Sequence, residues 1–211
     1  KAGLWTDSRY YLQAENELAG SGIELFRMDE PETPGIPAWL GGVLETGATV
    51  GTNAETVSLA QARRYTDELE ARGLAFRALP DLLDRIWEGR PDYPREPVFQ
   101  HDVKYAALDR GTKLGRLRER MRAEKADLQI LASLDDIAWL LNMRGGDIPY
   151  NPLFLAYAFV REDGVELFAD RGKFSADLMD LLEEEGITVR EYGEVFVAVE
   201  ELAPGQQVLL D

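Results

Sequence analysis

Residues 128–152 read LQILASLDDIAWLLNMRGGDIPYNP and contain, in order, a strand, a helix and a polar connection. Leu128 to Ala132 is a short apolar run with the length of a buried strand. Ser133 suits the start of a helix, on which Ile137 and Leu140 share one apolar face. A strand followed directly by an amphipathic helix is the repeating unit of α/β proteins, so this stretch predicts an α/β fold.

The same alternation of short apolar runs and segments of helical period extends to both ends of the 211-residue chain. It is interrupted once, by three prolines within residues 91–97, which can neither continue a helix nor pair in a central strand. We therefore predict two α/β domains, residues 1–90 and 98–211, joined by a proline-rich linker at 91–97. At the end of the first domain we expect a short helix, Asp81–Glu88, anchored by Trp87.

The composition excludes several classes of function. With 39 acidic and 23 basic residues the formal net charge is −16, and such a surface repels nucleic-acid phosphates and anionic lipids. No apolar run approaches the ~18 residues needed to cross a bilayer. We therefore predict neither a nucleic-acid partner nor a membrane partner. The absence of cysteine excludes disulfides and thiolate metal sites and fits a cytoplasmic location.

Residues suited to catalysis are scarce. His101 is the only histidine, whereas hydrolytic metal sites and nucleophile–histidine pairs need a defined constellation, so we interpret it as a loop or interdomain residue. Asp135 and Asp136 are neighbours on a helix and point in different directions, which suits helix capping better than a shared proton. The sequence contains no G-x-S-x-G, H-E-x-x-H, P-loop or G-x-G-x-x-G motif.

The polar segment Asn142–Pro152 is the strongest candidate for a site. Arg144 and Asn151 carry donors that suit a carbonyl or carboxylate group, and Asp147 adds an anion between them. We expect Gly145 or Gly146 to take the left-handed conformation that ends the preceding helix. Taken alone, the residue types favour a structural interpretation, a helix end and stiff connection in which Arg144 and Asp147 form a local salt bridge.

Three segments resemble a known family. Residues 134–152 are similar to the pattern L-D-E-I-A-W-L-x-N-x-R-G-S-D-x-x-x-N-P in the second domain of three-domain Xaa-Pro aminopeptidases, relatives of creatinase and prolidase. Asp136 replaces Glu in that pattern, and Gly146 replaces Ser. Residues 4–14 resemble W-T-D-G-R-Y-x-x-Q-A of the first domain, and residues 86–91 resemble the I-W-x-x-R-P that closes it.

This resemblance implies two creatinase-N-terminal-like domains, each a mixed β-sheet flanked by helices, with the leading elements of the first domain missing. Their loss would expose sheet edge and core, so we expect the first domain to be less stable than residues after Pro97. In the family a C-terminal catalytic domain follows and binds two divalent metal ions, manganese or zinc, through Asp, His and Glu side chains. The chain stops before those ligands, so no catalytic or metal-binding residue is carried over to it.

The resemblance also implies an activity for the parent protein, removal of the N-terminal residue from peptides with proline second. We expect the 211-residue segment to be inactive alone and to contact the C-terminal catalytic domain. Arg144, Asp147 and Asn151 would shape access to that domain and help to position proline-containing peptides. The alternative is a scaffold or self-association module, for example a homodimer interface. An independent hydrolase using Asp and Glu alone has no support in the residue spacing.

Overall fold

The computed structural model describes residues 1–210, apart from the side chain of Asp84. The chain divides into two units, Lys1–Pro91 and a second unit that begins at Asp92. Most of the proline-rich segment 91–97 therefore belongs to the second unit. No helix in the described part of the chain is both long enough and apolar enough to cross a membrane.

The first unit consists of two strand–helix–strand segments. The strands of each segment are parallel, β1 with β2 and β3 with β4, as a crossover through a helix requires. The α/β class is thus as predicted, but the described strands form two separate parallel pairs rather than one mixed sheet. The elements are β1 Ala2–Thr6, α1 Tyr11–Leu18, β2 Ile23–Arg27, α2 Ile36–Val43, β3 Thr49–Asn53, α3 Leu59–Glu70 and β4 Ala75–Leu79.

Aromatic side chains make the main packing contact of the first unit. Trp5 on β1 stacks on Phe26 on β2 with ring centroids 4.2 Å apart, and Trp39 on α2 meets both rings edge-on. Edge-on and stacked aromatic pairs add stabilisation beyond their buried area. Many other apolar residues of this unit are exposed, among them Leu12 at 77% and Leu59 at 67%. The first unit therefore has a small core.

The prediction of a helix at Asp81–Glu88 is wrong. Only Leu83–Arg85 is helical, as a single 3₁₀ turn, and Trp87 is 51% exposed rather than an anchor. Gly89 has a φ of 73°, which ends any helix there, and a segment this short cannot offset the cost of starting one. The Trp87 ring instead lies against the guanidinium of Arg90, 5.4 Å from its centroid.

The second unit contains a five-stranded mixed sheet with strand order β10-β9-β8-β6-β11. The outer pairs are parallel and the central pairs antiparallel, in agreement with the mixed sheet predicted for this half. The elements are β5 Phe99–Gln100, α4 Val103–Ala106, α5 Arg110–Ala123, β6 Leu128–Leu131, α6 Leu134–Leu140, β7 Met143–Arg144, β8 Tyr157–Val160, β9 Val165–Phe168, α7 Ala176–Glu184, β10 Ile187–Arg190, α8 Glu194–Glu200 and β11 Val208–Leu210.

Alternation along the central strand β8 divides the core of the second unit between the two faces of the sheet. Ala158 and Val160 point to a large cluster that also contains buried residues of α5, α6 and α7. Phe159 points the other way, to a smaller cluster with Val195 of α8. Helices thus cover both faces, and α6 holds the start of the polar segment against the larger cluster.

Candidate functional site

The polar segment starts where α6 ends, and Asn142 makes that turn. Asn142 has a φ of 48°, whereas neither Gly145 nor Gly146 has a positive φ, so the predicted glycine C-cap is wrong. The Asn142 side chain stabilises the turn, since its Oδ1 accepts a 2.6 Å hydrogen bond from Lys113 Nζ and its Nδ2 donates to the Leu108 carbonyl. Asparagine tolerates the left-handed region because its short polar side chain bonds locally.

The glycines serve close packing rather than the turn. A Cβ on Gly145 would lie 2.7 Å from the Cβ of Phe154, a buried side chain that cannot move aside. A Cβ on Gly146 would meet only the Glu96 side chain, at 3.2 Å. Gly145 is therefore required where the chain passes Phe154, while position 146 has room for a small side chain, as the serine of the family pattern implies.

Three cations converge on the last carbonyl groups of α6. Arg144 Nη1 donates to the Ala138 carbonyl at 2.7 Å, Lys113 Nζ to that of Trp139 at 2.7 Å, and Arg110 Nε to that of Leu141 at 2.7 Å. These carbonyl groups lack partners within the helix and carry the negative end of its dipole. The cations therefore fix the direction in which the chain leaves α6.

Lys113 is the least exposed of these cations. Its side chain is buried, and its ammonium lies 4.4 Å from the centroid of the Trp139 ring. Burial lowers the pKa of Lys113 below 10.5, and the positive charge of Arg144 lowers it further. Of the three cations at the end of α6, Arg110 also forms an ion pair with Glu185.

Asp147 lies inside the second unit. Its Oδ2 atom accepts hydrogen bonds from Lys173 Nζ at 2.6 Å and from the backbone N–H of Leu155 at 2.7 Å. The side chains of Asp147 and Lys173 are 0% and 2% exposed, and the second oxygen, Oδ1, has no hydrogen-bond partner. This pair takes the place of the salt bridge with Arg144 that the residue types suggested. The expectation that Asp147 faces a neighbouring domain does not fit its burial.

Asn151 lies at the exposed tip of the connection between β7 and β8, residues 145–156, here called the β7–β8 loop. A bridge between Ile148 and Asn151 closes the tip, and the Asn151 N–H donates to the Ile148 carbonyl at 3.1 Å. Tyr150 between them has a φ of 66° and is fully exposed. The tip therefore presents Tyr150 and Asn151 outward.

The predicted residues thus occupy three different environments. Arg144 is half-buried on the end of α6, Asp147 is buried with Lys173, and Asn151 is exposed. Of the three, only Asn151 is exposed. The sequence interpretation missed Lys113 and Lys173, since a buried lysine produces no local pattern.

The described residues do not fit a metal centre. No three His, Asp or Glu side chains come together in that part of the chain in a way that could hold a metal ion. His101 is half-buried, and its ring packs near that of Tyr105 with centroids 5.8 Å apart. Asp135 and Asp136 lie in the first turn of α6, where their charges favour the helix dipole.

Residues 89–211 match the model of the creatinase/prolidase N-terminal domain. The chain belongs to this family. The matched residues contain the β7–β8 loop as well as the mixed sheet. The motif at residues 134–152, from which the resemblance was inferred, therefore forms α6 and the loop of a creatinase/prolidase N-terminal domain.

Relatives of the chain extend the likeness to its first unit. It is 36% identical to aminopeptidase P2 of Arabidopsis thaliana over all of this chain and 30% of that protein. It is 34% identical to a Xaa-Pro aminopeptidase of Caenorhabditis elegans over 93% of this chain and 32% of the relative. The chain therefore spans about a third of the length of these relatives.

A solved structure has the same fold. The crystal structure of the X-prolyl aminopeptidase from Caenorhabditis elegans, described as a cytosolic enzyme with a di-nuclear active site, superposes with a TM-score of 0.86 at 33% identity. The match covers 93% of this chain and 32% of that one. The solved structure and the family match thus agree with the creatinase/prolidase N-terminal fold that the sequence motifs indicated.

Proposed function

We propose that this chain is the non-catalytic N-terminal region of a metal-dependent Xaa-Pro aminopeptidase. The observation that carries the proposal is the match of 93% of the chain, at 33% identity and a TM-score of 0.86, to one third of an X-prolyl aminopeptidase. The parent protein removes the N-terminal residue from peptides with proline in second position. The described residues include no cluster of metal-binding side chains, so we assign the chemistry to a C-terminal catalytic domain.

That catalytic domain is the first partner of this region, and proline-containing peptides are the substrates of the whole protein. We place its two divalent metal ions, manganese or zinc, there, because the solved relative has a di-nuclear active site. We place the protein in the cytoplasm, as its cytosolic relative and its lack of cysteine suggest. Metal ions bound in that domain would supply an activated water molecule as the nucleophile.

The contribution of this region is to narrow access to the catalytic domain and to position short peptides. Asn151 is the contact residue in this proposal, because its amide is exposed at the tip of the β7–β8 loop and can donate to a peptide carbonyl or carboxylate. Arg144 holds the start of the loop through the Ala138 carbonyl of α6, and Asp147 connects the loop to Lys173 and to Leu155 near its end.

Kinetics of the parent protein test this role. Asn151→Ala removes one donor to a polar group, so kcat/KM for short Xaa-Pro peptides is expected to fall about tenfold. The matched control is Asp180→Ala, an exposed substitution on α7, which should change nothing. If Asn151→Ala leaves kcat/KM unchanged for both short and long peptides, the proposed positioning role is contradicted. The family assignment does not depend on this result.

The alternative, a scaffold or self-association module, predicts a different outcome. In that case Asn151→Ala changes the mass of the assembly measured by light scattering, for example by separating a homodimer, and leaves peptide kinetics as they were. Substrate positioning predicts the reverse, with altered kinetics and an unchanged mass.

A further inference from the structure

The proline-rich segment predicted as a linker continues into a stretch that lies along the second unit. We call residues 92–101 the strap. Its first half makes side-chain contacts with that unit, since the ring centroids of Tyr93 and Tyr192 are 5.9 Å apart and Arg95 Nε lies 3.6 Å from an oxygen of Asp170. The Glu96 side chain packs beside Gly146 of the β7–β8 loop. The strap therefore has attachments along its length.

The second half of the strap is attached more firmly, through its backbone. The Val98 N–H donates to the Lys173 carbonyl at 2.9 Å, and the Val98 side chain is 4% exposed within the larger core cluster. Phe99 and Gln100 then form β5, which pairs with β7 immediately before the loop. Because Tyr93 and Arg95 are largely exposed, their contacts contribute little, and Val98 is the main anchor.

Lys173 connects the strap to the β7–β8 loop. Its carbonyl accepts the hydrogen bond from Val98, and its ammonium binds Asp147 of the loop. Asp147 in turn bonds twice within the loop, since its N–H donates to the Leu153 carbonyl at 3.0 Å and its carboxylate accepts from Leu155. Lys173 thus bonds to both the strap and the β7–β8 loop.

We propose that the strap holds the β7–β8 loop in its conformation through Val98 and Lys173. The strap is the first stretch of the second unit and directly follows Pro91, the last residue of the first unit. Val98 is an anchor residue and Lys173 a positioning residue for the loop. This role does not require that the loop contact a peptide, and it goes beyond the function proposed for the chain.

Amide hydrogen exchange of the 211-residue chain tests the proposal with two matched variants. Val98→Ala and Val195→Ala each shorten a valine that is 4% exposed, one in the strap and the other in α8. In Val98→Ala the amides of Gly145, Asp147 and Leu155 are expected to exchange about tenfold faster relative to those of the β8–β9 hairpin, because local opening is made easier. Val195→Ala should leave that ratio unchanged.

Two results would overturn the proposal. One is an equal ratio of loop to hairpin exchange in Val98→Ala and Val195→Ala, which would make Val98 an ordinary core residue. The second result comes from the unchanged chain, in which the proposal predicts that the Val98 amide is protected from exchange. A Val98 amide that exchanges at the rate of an unstructured peptide would show that residues 92–98 form a linker without attachment.

Discussion

The ammonium of Lys173 lies 2.6 Å from the carboxylate of Asp147, and the two side chains are 2% and 0% exposed. Both charged groups are buried and have lost their hydration, so each is stabilised by the opposite charge of the other. The pair also joins two segments that are 26 residues apart in sequence. Because the Asp147 carboxylate bonds to the Leu155 N–H as well, loss of either charge should release the β7–β8 loop.

Lys173→Met is expected to lower the free energy of unfolding of the second unit by about 3–5 kcal/mol, because it leaves a buried carboxylate without its cation. Urea denaturation followed by circular dichroism measures the change. The double variant Asp147→Asn with Lys173→Met, which buries no charge, should lose less than the sum of the two single substitutions.

The control for this prediction is an exposed pair. Arg95 and Asp170 are 3.6 Å apart with side chains 73% and 36% exposed, so Arg95→Ala should cost about 0–1 kcal/mol. A loss in Lys173→Met no larger than that in Arg95→Ala would show that the buried pair does not stabilise the loop.

The two neighbouring glycines of the loop should respond differently to alanine. Gly145→Ala places a methyl group 2.7 Å from the Cβ of buried Phe154, and such overpacking costs about 1–3 kcal/mol. Gly146→Ala meets only the flexible Glu96 side chain, so its effect should be within about 0.5 kcal/mol. Urea midpoints of the two variants give the comparison, and equal midpoints would contradict the close approach at Gly145.

The first unit is expected to unfold before the second. Of the apolar residues buried in the described chain, only Ala14, Phe26, Pro37, Leu69 and Leu74 belong to the first unit. In a Trp139→Phe variant the remaining tryptophans all lie in the first unit, so their fluorescence reports its unfolding alone. The urea midpoint measured by this fluorescence should be lower than the midpoint measured for the β8–β9 hairpin by hydrogen exchange. Coincident midpoints would instead indicate one cooperative transition of both units.

The ionisation of Asp7 makes the stability of the first unit depend on pH in the acid range. Side-chain hydrogen bonds from Arg9, followed by a bond from the Arg9 backbone N–H, lower the pKa of Asp7 from 3.8 to about 2. Because the folded state binds this proton less readily than the unfolded state, the contribution of Asp7 is complete above pH 4 and is lost as the pH falls toward 2. Carboxyl chemical shifts measured by NMR give this pKa directly.

Arg9→Ala should raise the pKa of Asp7 toward 3.8, since it removes the side-chain bonds and retains the one from the backbone. Arg64→Ala, an exposed substitution on α3, is the control and should leave the pKa of Asp7 where it was. An Asp7 carboxyl that titrates near its ordinary value in the unchanged chain would contradict the described geometry.

Sequence patterns predicted most elements of the second unit because helical and strand periods are local properties. The strand predicted at Leu128–Ala132 and the helix predicted to start at Ser133 are present as β6 Leu128–Leu131 and α6 Leu134–Leu140, with Ser133 at the N-cap. Periodicity together with capping residues was sufficient for these elements.

The contacts of the site required information that no local pattern contains. Asn142 makes the turn expected of a glycine because Lys113, 29 residues earlier in sequence, bonds to its side chain. Asp147 pairs with Lys173 rather than with nearby Arg144 because the fold brings the distant residue to it. Both are consequences of tertiary packing, and the same reason explains why Trp87 was assigned to a core that it does not enter.

The most direct test of the central claim is peptide cleavage by the chain itself. A purified sample with an intact mass of 23.7 kDa is incubated with an Xaa-Pro peptide and manganese, beside a longer parent protein that includes the C-terminal catalytic domain. The account predicts no cleavage by the 211-residue chain and metal-dependent cleavage by the longer protein. Cleavage by the chain alone at that mass would contradict its assignment as a non-catalytic region.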